Sequence, residues 1–202
     1  MAGGESMLRH ACWTAGLGAL AIAACTPKSS GDKVEPGPAG PAAATFQVSS
    51  TAFGSGAEIP KPHTCEGGDR SPPLAWTGLP PSTKSIAVVV DDPDAPDPAA
   101  PKTTWVHWVL YDLPATASGL PEATKELPPG SREGLNDWKR TGYGGPCPPV
   151  GRHRYFHKVY ALDVVLPDLG SPTKADLEKA MQGHIVGKGE LVGTYQKSGK
   201  SE

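Results

Sequence analysis

Gly142-Tyr143-Gly144-Gly145-Pro146-Cys147-Pro148-Pro149-Val150-Gly151-Arg152-His153-Arg154-Tyr155 is the stretch on which the reading of this chain turns. Its glycines let the backbone take positive φ and approach a ligand or another strand closely. Its prolines fix φ and delete their own N–H donors, so the loop is stiff and its remaining donors are few and placed. The residues after it, Arg154–Leu166, are rich in Tyr, Phe, Val and Leu and read as a strand, the longest in the chain. His153 and Tyr155 stand two apart at the mouth of that strand, so both side chains leave on one face. A rigid loop that delivers an imidazole and a phenol to one spot is a way to build a small polar binding site. An ordinary surface turn followed by a strand has the same local pattern.

Toward the N-terminus, Thr103–Leu113 (Thr-Thr-Trp-Val-His-Trp-Val-Leu-Tyr-Asp-Leu) alternates as a second strand. Strict period-2 geometry places Trp105, His107, Val109 and Tyr111 on one face and Val106, Trp108 and Leu110 on the other. Ser85–Val90 is β-branched and uninterrupted, a strand buried on both faces, and it runs into an acidic, proline-hardened loop, Asp91–Pro98. Thr45–Phe53 and the end of Ser71–Trp76 give further short strands. Pro114–Lys139 has no period and reads as a surface loop. Toward the C-terminus, Ser171-Pro172-Thr173 opens a helix with an apolar stripe at Leu177, Ala180 and Met181, and Gly183 suits its end. Gly189–Gln196 is the last strand. The pattern is mainly β and mostly antiparallel, with one short C-terminal helix.

The 202 residues carry a formal net charge of −2, which favours neither nucleic acid nor an anionic membrane surface. Residues 1–24 read as a signal peptide: Arg9 and His10, then an apolar run Ala11–Ala24 too short to span a bilayer comfortably. Ile22-Ala23-Ala24-Cys25 matches the lipobox of bacterial lipoproteins, which implies cleavage before Cys25, lipid on its thiol and a membrane-anchored protein of the cell envelope. A plain secretory signal is the alternative. Residues 25–44 are Pro-, Gly- and Ala-rich and read as a disordered spacer. Residues 45–198 then form one domain, roughly 155 residues with one core. Only Cys65 and Cys147 remain to pair there; a disulfide suits a compartment outside the cytoplasm, and two free thiols suit the same count.

Three segments stand out together: Asp92-Pro93-Asp94-Ala95-Pro96, Trp105-Val106-His107-Trp108, and Gly145-Pro146-Cys147-Pro148-Pro149 with His153-Arg154-Tyr155. With Ser71–Trp76 and Gly189–Tyr195 they resemble the phosphatidylethanolamine-binding protein family, also called Raf kinase inhibitor proteins, in its bacterial branch. The resemblance implies a large antiparallel sheet packed on a smaller one, with a small anion-binding pocket at one end. It places the pocket acid on Asp92, the pocket aromatic on Trp105, the histidines on His107 and His153 and the tyrosine on Tyr155. The loop wall falls on Cys147, Pro148 and Pro149. The eukaryotic pattern has a second histidine where this chain has Val106, and Ser-Gly-Pro-Pro where it has Pro-Cys-Pro-Pro.

Two imidazole N–H groups and a phenol O–H can donate to a phosphate, while Asp92 fixes one imidazole tautomer and meets an ammonium. These features predict a non-enzymatic binder of a small anionic or zwitterionic ligand, a phosphate or phosphoethanolamine-like head group, with no cofactor. An inhibitor of a protease or kinase is the alternative. A metal-dependent enzyme built on Asp92, His107 and His153 is a weaker one, because their spacing is uninformative. No Gly-x-Ser-x-Gly elbow supports Ser-His-Asp catalysis.

Overall fold

The structure is a computed structural model that describes residues 43–199. Residues 1–42, on which the expected signal peptide, the expected lipobox with Cys25 and nearly all of the expected spacer fall, lie outside the described residues. Two sheets and one helix make the fold. The large sheet contains β1 (Ala44–Thr45), β4 (Ser85–Asp92), β5 (Trp105–Pro114), β7 (Arg132–Glu133), β8 (Arg152–Leu162) and β9 (Ile185–Gln196), in the order β1-β9-β8-β4-β5-β7. The small sheet is β2 (Gln47–Ser49), β3 (Leu74–Thr77) and β6 (Gly119–Leu120). All pairings are antiparallel except that of β1 with β9.

β4 is buried along its whole length, as its unbroken Ile86–Val90 run dictates, and lies between β5 and β8. On one face Ile86, Val88 and Val90 join Trp108, Val159 and Leu191 in a core shared with the small sheet, which adds Val48, Leu74 and Trp76. On the opposite face Ala87 and Val89 join Val109, Tyr111, Leu177 and Met181 under α1 (Lys174–Met181). Thr173 caps that helix through a reciprocal capping box with Asp176. Pro172 thus stands one residue outside the cap, not in the first turn, and Gly183 takes φ +80° just past the end. Gly193 has to be glycine for closeness: a Cβ there would lie 2.5 Å from Ile59 Cγ1.

Several strand boundaries differ from expectation, β9 among them, which starts at Ile185 and not at Gly189. The first segment breaks into β1 and β2, and residues 50–53 leave the sheet. β8 ends at Leu162, so β9, with 12 residues, is the longest strand. β4 continues through Asp91 and Asp92, which therefore stand on a strand and not in the acidic loop. The excursion Pro114–Lys139 contains two-residue β6 and β7, which exist only through pairing with β3 and β5.

The alternation in β5 fails for a definite reason. Val90 pairs with Trp108 and Asp91 with Val106, so His107 is the extra residue of a β-bulge. A second register shift follows between Leu110 and Leu113, where Asp112 takes φ +56°. His107 is consequently turned to the side of Trp108 and away from Val109 and Tyr111, which join Val106 beneath α1.

Candidate functional site

Four chain segments meet at the end of the large sheet where β4 stops and β8 starts. Asp92 is the last residue of β4 and sits opposite Trp105, the first of β5. The bulge delivers His107, and the alternation of β8 delivers His153 and Tyr155, both fully buried. Together with Cys147, Pro148 and Pro149 these side chains line one cavity of about 340 Å³. All eight positions singled out in the sequence therefore come together. Ala95, Pro96 and Trp138 complete the wall.

Asp92 organises the floor. Its Oδ1 accepts from the Asp94 backbone N–H at 2.8 Å, and its Oδ2 accepts from His153 Nδ1 at 2.7 Å. Beside it, Asp94 takes the Arg154 guanidinium through both oxygens, at 2.7 and 2.9 Å, and the Arg154 backbone N–H as well. This fork holds the Asp94 carboxyl below the usual carboxylate range and occupies the guanidinium. His153 Nε2 lies 2.9 Å from the Val150 carbonyl. Both ring nitrogens of His153 are thus spent inside the protein, on a carboxylate and a carbonyl. That corrects the expectation of two imidazole donors for a ligand: His153 shapes the pocket and has no N–H left to offer.

His107 is wired differently. Its Nδ1 stands 2.6 Å from the Gly144 carbonyl, an acceptor only, so Nδ1 carries the proton. Nε2 has no partner among the described residues. The ring packs edge-on against Tyr155 and Trp138, each with centroids 5.2 Å away. Burial lowers its pKa, opposed in part by the Gly144 bond and the charge of Asp92, so the imidazole is neutral near pH 7. The Tyr155 hydroxyl is buried with no hydrogen-bond partner of good geometry. Burial first, then the nearby Asp92 carboxylate, push its pKa up and keep it protonated.

The glycine- and proline-rich loop holds the wall by backbone contacts. Gly144 is essential for close approach, because a Cβ there would run into the Trp138 ring. Gly145 N–H donates to Asp69 Oδ1 at 2.6 Å, and the Tyr143 hydroxyl donates to the His63 carbonyl at 3.0 Å. Cys65 and Cys147 are joined as a disulfide with Cα atoms 5.4 Å apart, and the Cys65 N–H donates to the Pro146 carbonyl at 3.1 Å. The polar loop 64–69 thus braces the pocket wall from behind. Trp138 is the functional-site side chain missed in sequence. It comes from an aperiodic excursion, and the only signal was a lone tryptophan in an otherwise polar run, 41% exposed in the structure. Ala95 and Pro96 close the Asp92–Pro96 motif and carry no chemistry that marks them as pocket residues.

Among the described residues no group of three His, Cys, Asp or Glu side chains is placed to hold a metal ion. The geometry gives a reason: His153 has no free nitrogen and His107 has one.

Comparison with known proteins agrees with this architecture. The family model described as phosphatidylethanolamine-binding protein matches residues 49–196. A UPF0098 protein of Methanothermobacter thermautotrophicus is 44% identical over 149 residues, 72% of this chain and 95% of the relative. The crystal structure of a phosphatidylethanolamine-binding protein homologue from Chlamydia trachomatis is 42% identical, with a TM-score of 0.71 over 76% of this chain and 99% of that one. Escherichia coli YbcL, described as a member of the mammalian family, is 34% identical, with a TM-score of 0.69 and the same coverage. The chain, with its mainly β two-sheet fold and a matching region that takes in the whole pocket, belongs to the phosphatidylethanolamine-binding protein family.

Proposed function

We propose that this protein is a non-catalytic binder of a small zwitterionic head group of the phosphoethanolamine type, held in the pocket of Asp92, His107 and Tyr155. The observation that carries the reading is the convergence of four separated segments on one cavity whose floor combines a carboxylate, a neutral imidazole and a phenol. Nothing in that floor is arranged as a nucleophile with its base: the one histidine–carboxylate pair, His153–Asp92, has the Val150 carbonyl where a nucleophile would stand. Calorimetry with phosphoethanolamine tests it. His107→Ala should weaken binding about ten- to a hundredfold, equivalent to roughly 1.5–3 kcal/mol, with the fold retained by circular dichroism. Unchanged affinity in the folded variant sinks the proposal.

The setting belongs to the same proposal. The run Ile22-Ala23-Ala24-Cys25 supports a lipid anchor on Cys25 and a place in the bacterial envelope. Cys25→Ser should release the protein from the membrane fraction or leave it unprocessed, and fractionation identical to the wild type rules the anchor out.

A further inference from the structure

The hydrogen bonds around the cavity decide which groups are left for a ligand, and they leave acceptors. His107 Nδ1 gives its proton to Gly144, so a neutral ring turns a bare lone pair, Nε2, to the ligand. His153 is closed by Asp92 and Val150. The nearest guanidinium, Arg154, is held by Asp94, and no lysine or arginine lines the cavity. What remains is the Asp92 carboxylate, the His107 lone pair and the Tyr155 hydroxyl, whose nearest charged neighbour is that same carboxylate. A bare dianion in this place meets the His107 lone pair and a carboxylate already occupied by His153 and the Asp94 N–H, with a single phenol to solvate it.

We propose that the ligand enters the pocket with a proton of its own, donating from an ammonium or from the P–OH of a protonated phosphate monoester to His107 Nε2. The inference rests on the head-group reading above and sharpens it: the site selects a group that carries hydrogen and discriminates against oxyanions that carry none. Methylene groups beside such a donor would meet Trp105, Trp138 and the proline wall. The groups that bear on the charge of His107 agree in direction. Tyr155 from β8 is neutral, Asp92 at the end of β4 is satisfied by His153 and Asp94, Asp91 lies on the opposite face of β4, Asp69 is reached only across the loop, and His157 lower on β8 is itself held neutral by burial. Burial outweighs the pull of the three carboxylates on the ring, which stays a lone-pair acceptor at neutral pH.

Calorimetry on the mature protein at pH 7.5, repeated in two buffers of different ionisation enthalpy, separates the possibilities. The probes are phosphoethanolamine, ethanolamine, inorganic phosphate and sulfate. Phosphoethanolamine should bind, and sulfate, which has no proton to donate at this pH, should bind at least tenfold more weakly than phosphate or not at all. Ethanolamine binding without proton exchange identifies the ammonium as the donor. Inorganic phosphate already carries a P–OH at this pH, so its binding without proton uptake, sulfate remaining silent, identifies P–OH. Sulfate binding as tightly as phosphate overturns the inference and leaves the head-group reading standing, since His107 must then protonate to receive it. Silence from all four probes removes the inference and the head-group reading together.

Discussion

Asp91 and Asp92 are neighbours on β4, both buried and both paired with a base, yet they serve unlike regions. Asp92 faces the pocket, and each of its oxygens has one directed partner, His153 and the Asp94 N–H. Asp91 faces the helix side, where its Oδ2 takes both Lys158, at 2.8 Å, and Lys174, at 2.5 Å, while Oδ1 has no partner. Lys174 is the first residue of α1, so this cluster ties the helix to the sheet beside the Leu177–Met181 packing. The pocket end is held by single, geometrically specific hydrogen bonds to loop backbone. The helix side is held by apolar packing and two ammonium groups that share one carboxylate oxygen. A site needs the first kind of order, because it fixes which lone pair points where; a core needs only the second.

That contrast can be broken experimentally, and the disulfide offers the largest effect. Cys65 and Cys147 are 82 residues apart, and removing the bond by the double Cys→Ala variant should cost on the order of 4 kcal/mol in urea unfolding, through the released entropy of the unfolded chain. The same variant should weaken pocket ligands, because Cys147 is part of the wall. A loss below about 1 kcal/mol would show that the Gly145–Asp69 and Tyr143–His63 bonds brace the loop without it.

Next in size is a paired comparison of the two aspartates. Asp91→Ala strands Lys158, 26% exposed, and leaves Lys174, 18% exposed, only the longer contact with Glu178 at 3.6 Å, and should cost about 3 kcal/mol with ligand affinity unchanged. Asp92→Asn keeps the shape and the Asp94 N–H acceptor and should cost less stability, about 1–2 kcal/mol, while weakening ligand at least about tenfold. Equal effects on binding would erase the distinction between the two faces.

A different kind of effect appears on acidification. His157 lies on the pocket face of β8, fully buried against Phe53 with neither nitrogen partnered, and burial pulls its pKa down to about 4. Its ordinary value is 6.5, so between pH 6.5 and about 4 the unfolded chain binds a proton that the folded chain refuses. Stability therefore falls as the pH drops through that window, by at most about 1.4 kcal/mol per unit from this group. His107, also lowered by burial, adds to the slope in the same direction. His157→Leu should flatten the profile measured by denaturant midpoints at pH 7 and pH 4.5, and an unaltered slope would assign the acid sensitivity elsewhere.

Much of this was legible in sequence wherever a local pattern and its tertiary role coincide. The unbroken Ile86–Val90 run could only be an interior strand, and the two-residue spacing of His153 and Tyr155 placed both in one site. The start of α1 was legible at Ser171–Thr173, although its capping box with Asp176 was not read. His107 was found by motif, but its direction was misread, because a bulge depends on the register of β4 against β5 and leaves no mark on the alternation itself. Trp138 was invisible for a related reason: its place is set by the empty Cα side of Gly144, across a loop. The spent state of His153 was equally hidden, since the partner of its Nε2 is a backbone carbonyl, which every residue possesses.

The short outer strands carry a consequence for behaviour at high concentration. The large sheet ends in β1 and β7, each only two residues long. The margin of β9 beyond β1 is already occupied, with Gly56 N–H donating to the Val192 carbonyl and Ile59 N–H to the Thr194 carbonyl. Along the described edges of the large sheet an incoming chain therefore finds almost no open ladder to extend. Copies brought together at high local concentration could collide continually and still remain separate.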